Sequence, residues 1–182
     1  MFKFIYLLIS LANNLFFVKV LAGLGTQLTG LWGKEDGIVE PPQNFSTFLE
    51  TILIFTRHPS LTLSHNACLI WNCLLKHEQI SKDQIFIDYI PKVINIIGPK
   101  IIKIAYPLQR PIGINMDPRI YASIDYDSEE EFTIFFHRCR TDFLEFFRQS
   151  TLIAPIFTFS YCEHWLNLRL QKSISESNTR LL

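Results

Sequence analysis

The chain has 182 residues, 48% of them apolar, and sixteen phenylalanines account for much of the excess over a typical soluble domain. Seventeen basic residues balance seventeen acidic ones, so no global field advertises a nucleic-acid or membrane partner. Four cysteines (Cys68, Cys73, Cys139, Cys162) are few for the length; they match no zinc or redox spacing and read as buried thiols in a reduced compartment.

Residues 4–32 predict a first helical segment. It is weaker toward its end, where Gly23, Gly25 and Gly30 favour close packing against a neighbour. Its start has three readings. Met1-Phe2-Lys3 and the apolar run to Ala12 resemble a short signal peptide. Asn13 and Asn14 break the apolar stretch at its centre, which weighs against a membrane span of about 20 residues. The third reading is a buried repeat helix, or a start created by a truncated gene model. Asn44-Phe45-Ser46 is a formal glycosylation sequon, meaningful only with a signal.

After a polar, turn-rich loop at 33–42, two amphipathic helices are predicted over about 44–56 and 60–76, joined by a tight turn at Arg57-His58-Pro59-Ser60. Phe45, Phe48, Leu49, Ile52, Phe55 and Thr56 recur at helical spacing on the first. Leu63, Ala67, Ile70, Trp71, Leu74 and Leu75 do so on the second. Neither can bury its apolar face alone, which is the logic of a helical-repeat solenoid. The length would accommodate about four HEAT-like pairs of roughly 40–47 residues. The fold class expected is all-α, and the mode of action is binding along an extended surface.

Ser81-Lys82-Asp83-Gln84 fits a capping box opening a helix to about residue 97, with Pro91 kinking it. Gly98-Pro99 breaks the chain before a shorter helical piece at 100–106. Residues 107–127 are proline-interrupted and aperiodic, and read as a long loop. Ser128-Glu129-Glu130-Glu131 is a second capping box. It is followed by an aromatic stripe of Phe132, Phe135, Phe136, Cys139, Phe143, Phe146 and Phe147, which reads as core. A last helix covers about 155–172 with Trp165 and Leu166 on its buried side, and 173–182 reads as a polar, frayed tail.

Catalytic signatures are absent: no Walker loop, no dinucleotide glycine fingerprint, no nucleophile elbow. The close His–Cys pairs, His137/Cys139 and Cys162/His164, point apart on a helix and cannot share a metal. The reading is therefore neither an enzyme nor a cofactor protein. Between residues 89 and 116 the only formal charges are Lys92, Lys100, Lys103 and Arg110. Between 120 and 137 they are Asp125, Asp127, Glu129, Glu130 and Glu131. Each set reads either as a solvated helix end or loop, or as half of a bipolar surface. In the second reading the basic half contacts RNA or an acidic partner and the acidic half contacts a protein.

Several segments together resemble the exportin-5 family of karyopherin-β nuclear export receptors. They are residues 20–33 (VLAGLGTQLTGLWG), 55–83, Ile90-Pro91-Lys92, 124–136 (IDYDSEEEFTIFF) and Glu163-His164-Trp165-Leu166. They follow the family's order over about residues 14–172, whereas residues 1–13 do not resemble it. The resemblance implies a HEAT-like segment of a receptor that binds RanGTP and double-stranded or structured RNA, such as microRNA precursors and tRNA. It also implies contact with nuclear pore proteins, no membrane, and shuttling between nucleus and cytoplasm. The repeats that characteristically grip RanGTP and many later repeats have no counterpart here, which reads as an internal fragment, a truncated gene model or a short isoform. The rival reading is a secreted or membrane-anchored helical interaction protein with a real targeting signal.

Overall fold

The computed structural model describes residues 2–33, 42–102, 106–107 and 118–171, with side chains of the first helix from Asn13 onward. Eight α-helices account for most of these residues: α1 (Phe2–Leu31), α2 (Phe45–Arg57), α3 (Leu61–Leu75), α4 (Gln84–Ile87), α5 (Ile90–Ile97), α6 (Pro118–Asp125), α7 (Glu129–Ile153) and α8 (Pro155–Gln171). Two 3₁₀ turns, Ile80–Lys82 and Gly98–Ile101, precede α4 and follow α5. No sheet forms among the described residues.

The helices stack in two layers. α1, α3 and α7 lie side by side in one, and α2, α5 and α8 form the other. α1 with α3, α3 with α7, and α2 with α5 run parallel. Gly25 and Thr29 of α1 meet Ile70 and Cys73 of α3 in the same order. Thr62, His65 and Lys76 of α3 meet Tyr126, Asp142 and Glu145 in ascending order. In the other layer Ser46, Glu50 and Thr56 of α2 meet Tyr89 and Lys100, on either side of α5. Sequence-adjacent helices of opposite layers pair as hairpins, α2 with α3 and α7 with α8. This is a helical-repeat arrangement.

Sequence periodicity places the core well. Phe45, Leu49, Ile52 and Thr56 of α2 are buried, as are Leu63, Ala67, Ile70, Trp71, Leu74 and Leu75 of α3. Phe132, Phe136, Cys139, Phe143 and Phe146 of α7 are buried beside them, with Phe135 and Phe147 half-buried. The turn is closed by Ser60, whose hydroxyl accepts from the Leu63 amide (3.3 Å) as the N-cap of α3. Ser128 caps α7 in the same way through Glu131 N (3.2 Å), and the Glu131 carboxylate reaches back to the Asp127 amide (3.3 Å).

Five local expectations are corrected. The cap before α4 is Asp83, accepting from Phe86 N at 3.1 Å; the Ser81 hydroxyl instead donates to Glu78 O. Pro91 opens α5 instead of kinking a longer helix, because its missing N–H is harmless in a first turn. The 100–106 helix is reduced to the 3₁₀ turn, with 103–105 outside the described residues. Part of the expected 107–127 loop is α6, while 108–117 lie outside the described residues. Trp165 and Leu166 are 40% and 52% exposed, because no described helix covers that side of α8. The thiols also divide: Cys68 and Cys139 are buried, Cys73 is half-buried and Cys162 is exposed, all four unpaired. The 1–13 boundary and the 173–182 tail concern segments whose side chains or backbone are largely outside the described residues.

Trp71 joins the two layers. It is 1% exposed, its indole N–H donates to Thr56 Oγ1 (2.9 Å), and its ring stacks near Tyr89 and Phe86. Trp71→Ala is expected to destabilise the chain by about 3–5 kcal/mol, the range for emptying a large buried aromatic site. A urea midpoint close to the parent's, at unchanged slope, would contradict this.

Gly98 gives a second test. A Cβ there would stand 2.7 Å from Cζ of Tyr161, so α8 approaches the end of α5 only because that position is glycine. Gly98→Ala should cost about 1–3 kcal/mol through overpacking. The loss should shrink in a Gly98→Ala/Tyr161→Ala double variant, whereas strict additivity of the two single losses would refute the contact.

Candidate functional site

The sequence-selected charges do not converge into one site. Lys92 is exposed on α5, and its ammonium sits 4.1 Å from the centre of the Tyr89 ring. The Tyr89 hydroxyl in turn donates to Glu50 Oε2 (3.2 Å). Lys103 and Arg110 lie outside the described residues. Lys100 turns inward. Its ammonium donates to the carbonyls of Thr56 (2.8 Å) and His58 (2.6 Å), where α2 leaves backbone acceptors without helical partners. Burial pushes its pKa down to about 8.

The acidic set divides similarly. Asp125 is half-buried and accepts from the Ser60 hydroxyl (3.0 Å), beside the Thr62–Tyr126 hydroxyl pair (3.1 Å). Burial raises its carboxyl pKa, opposed by hydrogen bonds from Thr62 and Ser60. Glu131 is committed to the cap described above, while Asp127, Glu129 and Glu130 are exposed around the first turn of α7.

The two sets meet at a place sequence reasoning did not suggest. Lys100 and Asp125 hold the α2–α3 turn from two sides, and the His58 ring packs edge-on against Tyr121 of α6 at 5.2 Å. These groups organise a turn between helices.

Two surfaces were missed. Arg138 and Arg140 are exposed on α7, away from its aromatic stripe; they fall just beyond the acidic run, and a helical projection of 129–153 would have found them. An open apolar groove of about 370 Å³ is lined by Leu24, Leu28 and Leu31 of α1 and by Pro42, Asn44, Phe45 and Phe48 at the start of α2. Among the described residues no cluster of His, Cys, Asp and Glu could hold a metal, and no helix is long and apolar enough to cross a membrane.

Stacked helices whose charges do not converge among the described residues define a helical-repeat segment. The Exportin-5 family model matches residues 14–182. Human Exportin-5 is 33% identical over 152 residues, covering 84% of this chain and 12% of that protein. Mouse Exportin-5 is 31% identical over 156 residues, covering 86% and 12%. The chain belongs to the exportin-5 family. It spans about an eighth of the length of these curated relatives.

Because Lys100 caps α2, Lys100→Met should cost about 1–3 kcal/mol near neutral pH by leaving a carbonyl unpaired. The pH dependence has a defined sign. A folded-state pKa near 8, against 10.5 for an ordinary lysine, means the unfolded chain holds the extra proton across that window. The parent therefore gains stability relative to the variant as pH rises from about 8 to 10.5. Parallel parent and variant curves in urea unfolding would show that Lys100 is ionised no differently in the folded chain.

Proposed function

We propose that this chain is a segment of a nuclear export receptor that, as part of the complete receptor, carries double-stranded or structured RNA with RanGTP. What supports the reading is family membership over residues 14–182, joined to a two-layer helical stack among the described residues. Duplex RNA is held by shape and phosphate contacts, so basic side chains spread over many repeats suffice without base readout. RanGTP, microRNA precursors or tRNA, and nuclear pore proteins are the partners this reading assigns to the complete receptor, which shuttles between nucleus and cytoplasm.

Within the segment, Lys92 is the described member of the basic set displayed to solvent, and Lys103 and Arg110 complete the proposed RNA-facing set. Asp127, Glu129 and Glu130 are the proposed protein-facing group. Lys100 and Asp125 are instead committed to holding the α2–α3 turn.

Depletion of the gene product in its own cells should trap hairpin RNA precursors in the nucleus. An unchanged nuclear-to-cytoplasmic ratio of such RNAs would overturn the reading. The 182-residue chain alone should bind a duplex hairpin weakly. Three lysine or arginine contacts limit its log–log salt slope to about −2.7, at roughly −0.9 per phosphate. Filter binding at two salt concentrations measures this. Submicromolar binding without Ran would place the main RNA grip in this segment and reject its minor share.

A further inference from the structure

The turn between α2 and α3 is closed by a side chain that can change its charge. His58 Nδ1 accepts from the Ser60 amide at 3.1 Å. This is the geometry of an Asx turn, in which a side-chain acceptor takes the N–H two residues on, with an imidazole in place of the usual Asn or Asp. The bond requires the neutral ring to carry its proton on Nε2. Ser60 is fully buried, so its amide has no water to turn to once Nδ1 takes a proton. The same serine caps α3 through Leu63 N and donates its hydroxyl to Asp125 of α6. The His58 ring meets Tyr121 of α6 edge-on, so α6 rests on the turn at both residues.

We infer that His58 is a pH-operated lock on the α2–α3 turn: neutral, it closes the turn and seats α6; protonated, it frees the Ser60 amide and loosens α6. The charges around the ring oppose a second proton. Arg57 precedes it on α2 and is drawn toward Glu50 at 3.8 Å, the Lys100 ammonium stands 2.6 Å from its carbonyl, and Arg119 lies at the start of α6. Against them is the Asp125 carboxylate of α6, already engaged by Ser60; Tyr121 is the titratable group of α6 that touches the ring. Burial, and then the charge of Lys100, hold the imidazole below its ordinary pKa of 6.5. The unfolded chain therefore takes up the proton first as pH falls. The contribution of the lock is complete above about pH 6.5 and is lost as pH drops through the lower folded-state value. Lys100, with its pKa near 8, stays charged throughout that range, so the two supports of the turn answer to opposite ends of the scale.

The test is amide exchange by NMR on the whole chain at about pH 7.5 and about pH 5, read as the protection factor of Ser60. His58→Asn keeps an acceptor in the Asx position but cannot titrate, and His58→Leu removes the acceptor. In the parent, Ser60 should be protected at the higher pH and lose that protection several-fold at the lower one. His58→Asn should protect it at both, His58→Leu at neither. Cross-relaxation between the His58 and Tyr121 rings of the parent should fade over the same range. Asp125 is present in every variant, so an equal loss in the parent and His58→Asn would assign the change to that carboxyl and overturn the inference. Protection of Ser60 that does not move with pH in the parent would overturn it as well. Should a variant pack poorly, the ring nitrogens of the parent decide by themselves. Nδ1 should be unprotonated at neutral pH and the ring should titrate below 6.5; a neutral ring with its proton on Nδ1, or a midpoint at or above 6.5, rejects the lock.

Discussion

The burial of α3 on nearly every side is the constraint on which the rest of the structure depends. Eleven of its fifteen residues are buried, so it cannot serve as the outer face of anything. It needs α2 behind it, α1 along one flank and α7 along the other. Apolar contact alone would let these neighbours slide, because dispersion and desolvation are non-directional. Polar contacts at the walls set the register. Trp71 donates to Thr56 across the layers, and His65 meets Asp142 Oδ2 at 2.6 Å between α3 and α7. Asn72 Nδ2 donates to the Asp142 carbonyl about two turns further along α3 (2.9 Å). Such bonds are costly to break when buried, so they choose one packing among many of similar area.

The same constraint explains why charged residues near helix ends were drawn inward. A helix that stops inside a stack leaves carbonyls or amides that water cannot easily reach. Lys100 supplies donors to the end of α2, and Asp125 accepts from the serine that caps α3. Their charge therefore steadies the turn on which successive layers hinge, and the exposed residues nearby inherit a fixed position from it. At Glu145, Arg148 contributes two contacts of 2.8 Å, and Lys76 approaches at 3.4 Å from the neighbouring helix. Arg148 first, then the Gln149 amide (2.9 Å), hold its carboxyl down to about 2, and Lys76 ties the outer face of α7 to the end of α3.

A stack of this kind acts by area and position. Each helix pair offers a few side chains, and affinity accumulates only when several pairs present them together. That suits a family whose curated members are about eight times the length covered here. Exposed apolar side chains remain on α1 and α8, among them Leu24, Phe159 and Leu170.

What the sequence determined by itself was the identity and inward face of the strongly periodic helices. The stripes on α2, α3 and α7 are buried where their 3.6-residue spacing puts them, because an apolar stripe that wide has no other favourable place. The family was legible too, since the order of several short segments carries it without any structure. Local chemistry was read less surely: Asp83 won the cap from Ser81, and Pro91 began a helix it was expected to bend. Only the tertiary structure decided which charges face water. A lysine in a basic run looks the same whether it meets solvent, as Lys92 does, or a helix end, as Lys100 does. It also decided that Trp165 and Leu166 are exposed among the described residues, because burial of a stripe depends on a neighbour that the stripe cannot specify.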